Sequence, residues 1–392
     1  MNHLRYKIIV EGIVQGVGFR PFIYQLAERF DLAGSVCNDT RGVTIEVEGG
    51  EKMLRRFVAA VRFEKPPLAA IQSVDVLSVP TRGDTGFRIL QSAFDETRRA
   101  QIAPDSFVCD DCLVELFDPA DRRYHYPFIN CTNCGPRYTI VTGIPYDRPL
   151  TTMADFPMCA DCQAEFDDPA SRRFHAQPNA CPSCGPQLQL VTAERSTGAY
   201  ADPLGETIRR LKAGQIVAIK GLGGYHLAVD AANRDAVAEL RRRKQREERP
   251  FALMAKNLDA AAKLTAFGAD EARLLQGIER PIVLLRKRSG HGLAENIAPG
   301  NRYFGVMLPY TPLHHLLMQA FAALVMTSAN LSDEPIAFED DDARRRLASI
   351  ADAFLLHNRR IHTRTDDSIA RVMAGRPLLV RRSRGFVPRG VA

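Results

Sequence analysis

Eight of the nine cysteines stand in four Cys-x-x-Cys pairs: Cys109 and Cys112, Cys131 and Cys134, Cys159 and Cys162, Cys181 and Cys184. Runs of 18, 24 and 18 residues separate the successive pairs. Two such knuckles supply four thiolates, a closed tetrahedral shell for a structural zinc that leaves no open position for catalysis. Two structural zinc ions are therefore expected, bound within each half or crossed between halves, because spacing alone does not fix the pairing. Redox-active pairs are the competing use, but no thioredoxin-like unit surrounds these. The ninth cysteine, Cys37, reads as a small buried hydrophobe.

A second chemistry is carried by Gln15-Gly16-Val17-Gly18-Phe19-Arg20-Pro21. Gly16 and Gly18 permit a tight turn in which successive N–H groups converge, and a helix starting there adds its positive end, so the segment is a phosphate cradle in principle. Arg20 adds a planar fork that can grip phosphate oxygens with two parallel bonds. Further along, Arg241 to Arg249 packs six basic and two acidic residues into nine positions, a pattern that usually means a solvated helix face. No Gly-x4-Gly-Lys-Ser/Thr loop occurs.

The elements that position these groups fall into three segments. From Tyr6 to Leu90 the order is strand, helix, strand, strand, helix, strand. Tyr6, Ile8 and Val10 alternate, and Phe22, Ile23, Leu26 and Phe30 share a helical face, which predicts a split β-α-β sandwich over residues 1–91. From Cys109 to Pro136 the chain repeats at an offset of 50 residues, with 14 identities in 28 positions, including all four cysteines and His125/His175. This duplication sets a finger segment at 105–190; with four sulfurs in each unit, the two histidines read as packing groups. Residues 200–388 alternate strands and helices as an α/β domain. Apolar runs at 216–219, 282–285, 322–326 and 378–380 exit into Lys220, Arg286-Lys287-Arg288, Thr327-Ser328-Ala329-Asn330 and Arg381-Arg382-Ser383-Arg384. Ligands of open α/β sheets sit beyond strand ends, so four polar exits suggest a polyanion site.

A net charge of +6 excludes a dedicated nucleic-acid coat. No apolar stretch reaches the roughly 18 residues of a membrane span, and the first residues lack a secretory pattern, so a cytoplasmic location is expected.

Val10 to Arg20 resembles the acylphosphatase signature, and Gly34-Ser-Val-Cys-Asn38-Asp39 its second-strand motif. The resemblance implies Arg20 as phosphate binder and Asn38 as the residue orienting the attacking water. An acyl phosphate is already activated, so those two roles suffice without a general base. The third segment resembles the YrdC-like fold, with Lys244 and Arg246 matching its Lys-x-Arg element and Ser328 and Asn330 its Ser-x-Asn element. Lys220, Thr327, Ser368, Arg381 and Arg384 complete the expected nucleotide-binding set. Pro250 follows Lys244 one residue sooner than in the tRNA-modifying branch.

A ferredoxin-like acylphosphatase sandwich, duplicated four-cysteine fingers and a YrdC-like domain, in that order, resemble the HypF family of hydrogenase-maturation carbamoyltransferases. The resemblance implies carbamoyl phosphate and ATP as substrates, with Mg²⁺ accompanying the nucleotide. Carbamate, released by the first domain, becomes carbamoyl adenylate, and a cysteine of HypE is the acceptor on the way to a cyanide ligand. It also implies a further C-terminal transfer domain that this sequence does not include. Two readings compete. A tRNA threonylcarbamoyl-adenylate synthase would use the same α/β domain but has no need of the first. A zinc-finger nucleic-acid-binding module is disfavoured because the fingers lack a stacking array of aromatics.

Overall fold

In the computed structural model, residues 3–93, 100–192, 200–331 and 334–390 are described. The chain divides into two units: Met1–Pro104 with Asn130–Cys184 and Pro388–Ala392, and Asp105–Ile129 with Gly185–Val387. The first carries strand β1 (His3–Ile13), helix α1 (Phe19–Arg29), β2 (Ala33–Asn38), β3 (Gly42–Gly50), α2 (Glu51–Phe63), β4 (Ala70–Val79) and β5 (Phe87–Ile89). Their sheet order is β4-β1-β3-β2-β5, all antiparallel except β2 with β5. Alternation along β1 sends Ile8 and Val10 inward, and α1 and α2 bury Ile23, Leu26, Leu54, Phe57 and Val61 against them. Cys37, expected inside, is only partly buried because it stands on the opposite face of β2 from Val36.

Arg5 fixes one end of this sheet. Its guanidinium, 1% exposed, donates to Glu48 at 2.9 Å, Glu46 at 2.7 Å and Asp84 at 2.5 Å. Glu48 also accepts the N–H groups of Arg82 and Gly83, which hold its carboxyl below the usual range although burial opposes this.

The repeated halves fold alike. Helices α3 (Asp110–Phe117) and α4 (Ala160–Asp167) start one residue after Cys109 and Cys159. Asp118 and Asp168 then each accept an N–H two residues on, both at 2.9 Å. His125 and His175 both adopt left-handed backbone, φ 55° and 53°, and donate their N–H groups to Leu116 and Phe166.

The second unit is one mixed sheet. Its strands are β6 (Leu188–Thr192), β7 (Val217–Lys220), β8 (Tyr225–Asp230), β9 (Ala252–Ala255), β10 (Thr265–Ala266), β11 (Ile282–Lys287), β12 (Tyr303–Met307), β13 (Ala323–Ser328), β14 (Ala353–His357), β15 (Ile369–Met373) and β16 (Arg376–Arg381). They lie in the order β16-β15-β11-β12-β9-β13-β8-β7-β14-β6, with β10 paired to β11. The four apolar runs of the sequence are β7, β11, β13 and β16. Edge strand β6 lies before residue 200, where the α/β segment was expected to begin. Neighbouring residues feed opposite cores: Leu253 and Ala255 belong to one cluster, Met254 to the other. Both faces are thus covered, as continuous apolar strands require. Among the described residues no helix is long and apolar enough to cross a membrane.

Breaking a buried ion pair from one side costs about 3–5 kcal/mol. Arg5→Met should lower stability by an amount in that range in chemical denaturation, and adding Glu48→Leu should recover part of it. An Arg5→Met variant as stable as the parent would show that the carboxylates need no cation.

Candidate phosphate and nucleotide sites

In the first unit, β1 delivers the chain to Gly16 and Gly18, both left-handed with φ 71° and 76°, and α1 begins on Phe19. The adjoining recess is small, about 20 Å³, and is walled by Gly16, Gly18, Arg20, Asn38 and, from beyond residue 130, Thr132, Arg137, Tyr146, His175 and Gln177. Arg20, 8% exposed, pairs with Asp147 at 2.8 Å. Asn38 is also buried; its Nδ2 reaches the Tyr146 carbonyl at 3.5 Å, while its Oδ1 has no partner among the described residues. Burial, with Arg20 nearby, pushes His175 down to about 4, so its ring is neutral at pH 7.

Of the expected phosphate-binding residues, Gly16, Gly18, Phe19 and Arg20 line the recess, and Gln15 and Val17 do not. Gln15 is spent on structure: its Nε2 donates to Asp39 and Gly42 carbonyls, and its Oε1 accepts the Tyr146 N–H. Val17 turns its side chain into the core. Sequence reasoning missed Thr132, Arg137, Tyr146, Asp147 and Gln177, which lie more than 90 residues from the loop, and did not bring His175 to it.

The cysteines gather as two sets of four, Cys109/112/131/134 and Cys159/162/181/184, each with its sulfurs within 4.8 Å of one another. Zn–S bonds of about 2.3 Å in a tetrahedron put sulfurs about 3.8 Å apart. The observed separations fit: 3.8 Å for Cys131–Cys134, 3.7 Å for Cys159–Cys181, 3.8 Å for Cys181–Cys184 and 3.6 Å for Cys162–Cys184. Burial raises the Cys181 thiol, but N–H groups of Ser183 and Cys184 outweigh it and bring it down to about 7. Both sets suit zinc, and neither histidine of the repeat joins them.

In the second unit a cleft of about 550 Å³ opens where β13 ends. The helix Arg234–Arg243 carries Lys244 to its floor, where Nζ donates to the Ser328 carbonyl at 2.8 Å, to Asn330 Oδ1 at 3.0 Å and to the Asn330 carbonyl. Burial pushes the Lys244 ammonium down to about 7, Arg246 adds to this, and Asp366 opposes it. Arg246 reaches Thr327 Oγ1 at 3.2 Å and the Pro250 carbonyl at 2.7 Å, with its guanidinium 5.2 Å from the Phe251 ring. Arg381 pairs with Asp366 at 2.6 Å.

Lys244, Arg246, Thr327, Ser328, Asn330 and Arg381 thus share one cleft, whereas Lys220, Ser368 and Arg384 are not among its walls. Lys220 is buried on Asp340 at 2.6 Å and the His357 carbonyl at 2.9 Å. Ser368 donates to the Arg384 carbonyl at 2.9 Å. Arg384 is an interior cation, bonded to Asp367 at 2.8 Å and lying 3.5 Å over the Tyr310 ring. Arg286 to Arg288 line a separate surface cleft of about 430 Å³. Asp366 and Asp367 also line the cleft; a carboxylate in a polyanion site has no sequence signal of its own.

These two sites sit in modules that match known families. Residues 6–89 match the acylphosphatase family, 108–141 and 158–191 the HypF finger, and 209–383 the family described as telomere recombination, which groups Sua5, YciO and YrdC. The chain is 52% identical over 410 aligned positions to carbamoyltransferase HypF2 of Cupriavidus necator, covering 99% of this chain and 51% of that one. It is 50% identical to HypF of Synechocystis sp., over 98% of this chain and 50% of the relative. A crystal structure of full-length HypF in the phosphate- and nucleotide-bound form superposes with a TM-score of 0.95 at 47% identity, covering 99% of this chain and 51% of the other. The chain belongs to the HypF family, and it spans about half the length of the HypF relatives it matches.

Metal analysis of the purified chain is expected to find two zinc ions per molecule, and Cys162→Ser to find one. Because a structural zinc supplies on the order of 10 kcal/mol of apparent folding energy, Cys162→Ser should also expose its finger to proteolysis. Full zinc content in that variant would remove Cys162 from the ligand set.

Proposed function

We propose that this chain carries the first two chemical steps of a carbamoyltransferase: hydrolysis of carbamoyl phosphate to carbamate and phosphate, then attack of carbamate on ATP to give carbamoyl adenylate and pyrophosphate. The observation that carries the reading is the buried pair at the first site, a guanidinium beside an amide whose Oδ1 lacks a partner. Arg20 neutralises the phosphate, and Asn38 presents Oδ1 to accept a hydrogen bond from the attacking water and so orient it. An orphaned buried acceptor costs about 1–3 kcal/mol, which a bound water would relieve. The neutral His175 leaves the fork of Arg20 as the cation for the leaving group.

At the second site Lys244, Arg246 and Arg381 face the triphosphate, and Ser328 and Asn330 hold Lys244 in place. Mg²⁺ bound with ATP would offset further phosphate charge. The crystallised HypF relative carries both phosphate and nucleotide, which supports one chain holding both kinds of ligand. The acceptor implied by the family, a cysteine of HypE, is assigned to no described residue here.

Arg20→Ala should remove carbamoyl-phosphate hydrolysis, and Asn38→Ala should lower its kcat by about a hundredfold, the low end of what such a group supplies. Both should leave ATP binding intact, while carbamoyl-phosphate-dependent pyrophosphate release falls in step with hydrolysis, to nothing for Arg20→Ala. Normal phosphate release from folded Arg20→Ala would remove the first site. Pyrophosphate release driven instead by threonine and bicarbonate would favour the tRNA-modifying reading.

Lys244→Ala with Asn330→Ala should abolish ATP binding in calorimetry. In the parent, a triphosphate raises the Lys244 pKa from about 7, so binding at pH 8 should take up close to one proton, and affinity should fall as pH rises above about 7. Proton-neutral binding at pH 8 would remove Lys244 from contact with the phosphates.

A further inference from the structure

Arg137 lies at the end of the second knuckle, two residues after Gly135, and is 2% exposed. Its Nη1 donates to the carbonyls of Cys134 at 3.0 Å and Pro136 at 2.8 Å, and its Nη2 to Thr132 at 2.9 Å, with Cys131 at 3.4 Å. These bonds bind the knuckle to itself. The remaining donor, Nε, bonds instead to the carbonyl of Gly16 in the phosphate loop. One guanidinium therefore ties the backbone of a cysteine knuckle to the backbone of a loop 121 residues earlier.

The loop is also fitted to this segment sterically. A Cβ on Gly16 would meet Arg137 Cδ at 3.1 Å and the Tyr146 ring at 3.3 Å, and one on Gly18 would meet Thr132 Cγ2 at 2.8 Å. Both glycines therefore lack a side chain for two reasons, their left-handed backbone and the wall they lie against.

We infer that Arg137 is a positioning residue of the phosphate site. The peptide between Gly16 and Val17 is planar, so pinning the Gly16 carbonyl fixes that peptide plane and, through it, the course of the chain into Gly18, Phe19 and Arg20, which line the recess. A cradle made of N–H groups binds an anion only when those groups converge beforehand; otherwise the anion must order them and loses that free energy from its affinity. Lysine could not replace Arg137, having three donors on one point where the guanidinium spreads five across a plane. The inference rests on the acyl-phosphate reading of the recess and adds to it a specific residue from the finger segment.

The test uses the full chain and its Arg137→Lys and Arg137→Gln variants, with inorganic phosphate and carbamoyl phosphate as probes. Zinc content and melting temperature report folding. Arg137→Lys should keep its zinc, weaken inorganic phosphate about tenfold or more, and raise KM for carbamoyl phosphate by a similar factor. Its kcat should stay within about threefold, because Asn38 is untouched. A folded, zinc-loaded Arg137→Lys that binds phosphate within twofold of the parent overturns the inference. Should both variants lose zinc, backbone amide relaxation in the phosphate-free parent decides: rigid amides at Gly18 and Phe19 support a loop set in advance, and flexible ones overturn it. If the parent itself binds no phosphate, or Arg20→Ala binds it normally, the reading of the recess fails instead.

Discussion

A guanidinium removed from water must find an acceptor for each of its five donors, or the fold bears the cost of an unpaired charge. Arg5, Arg137 and Arg384 answer that demand in different ways, Arg5 with its Nε left without a partner among the described residues, and each meeting point brings together parts of the chain far apart in sequence. Arg5 uses three carboxylates and joins β1 to β3 and to the turn at Asp84. Arg137 uses main-chain carbonyls and joins a knuckle to the phosphate loop. Arg384 uses Asp367 and the carbonyls of Glu279 and Arg280, joining the last turn of the second unit to a loop before β11. Where carbonyls do the accepting, the cation keeps its full charge. A carboxylate partner cancels part of it, as Asp367 does for Arg384, which is buried and lies outside the walls of the cleft.

The two candidate sites also handle charge differently. At the recess, Arg20 already has a carboxylate neighbour in Asp147, so an arriving phosphate meets a guanidinium whose field is partly satisfied. At the cleft, Lys244 donates to neutral oxygens, and its pKa is lowered by burial first and by Arg246 second, against the pull of Asp366. A triphosphate would bring negative charge to it.

Much of the fold was legible because its signals are local. Alternation in β1, the glycines of the phosphate turn and the 50-residue repeat each depend on residues within a few turns of one another, and the elements formed where those patterns placed them. The cysteine spacing was equally local. What escaped was decided by distant packing. Arg137, Asp147 and Gln177 reach the recess only once the finger segment folds back on α1, where Tyr24 meets the Phe174 ring at 5.5 Å. Nothing in their neighbours announces that destination. Lys220 differs for a related reason: a basic strand exit is open to a ligand only if no acid of the chain has claimed it, and Asp340, which pairs with it, lies 120 residues away. Strands β9 and β12 are short apolar runs with no alternation, which a buried helix would share.

The walls of the recess bear on how the protein comes into being. A chain made from its N-terminus exposes residues for the first core well before the fingers, and Ala103 is the last member of that core. The far wall, Thr132 through Gln177, follows only later. The nascent head therefore acquires a foldable interior before it acquires a finished pocket.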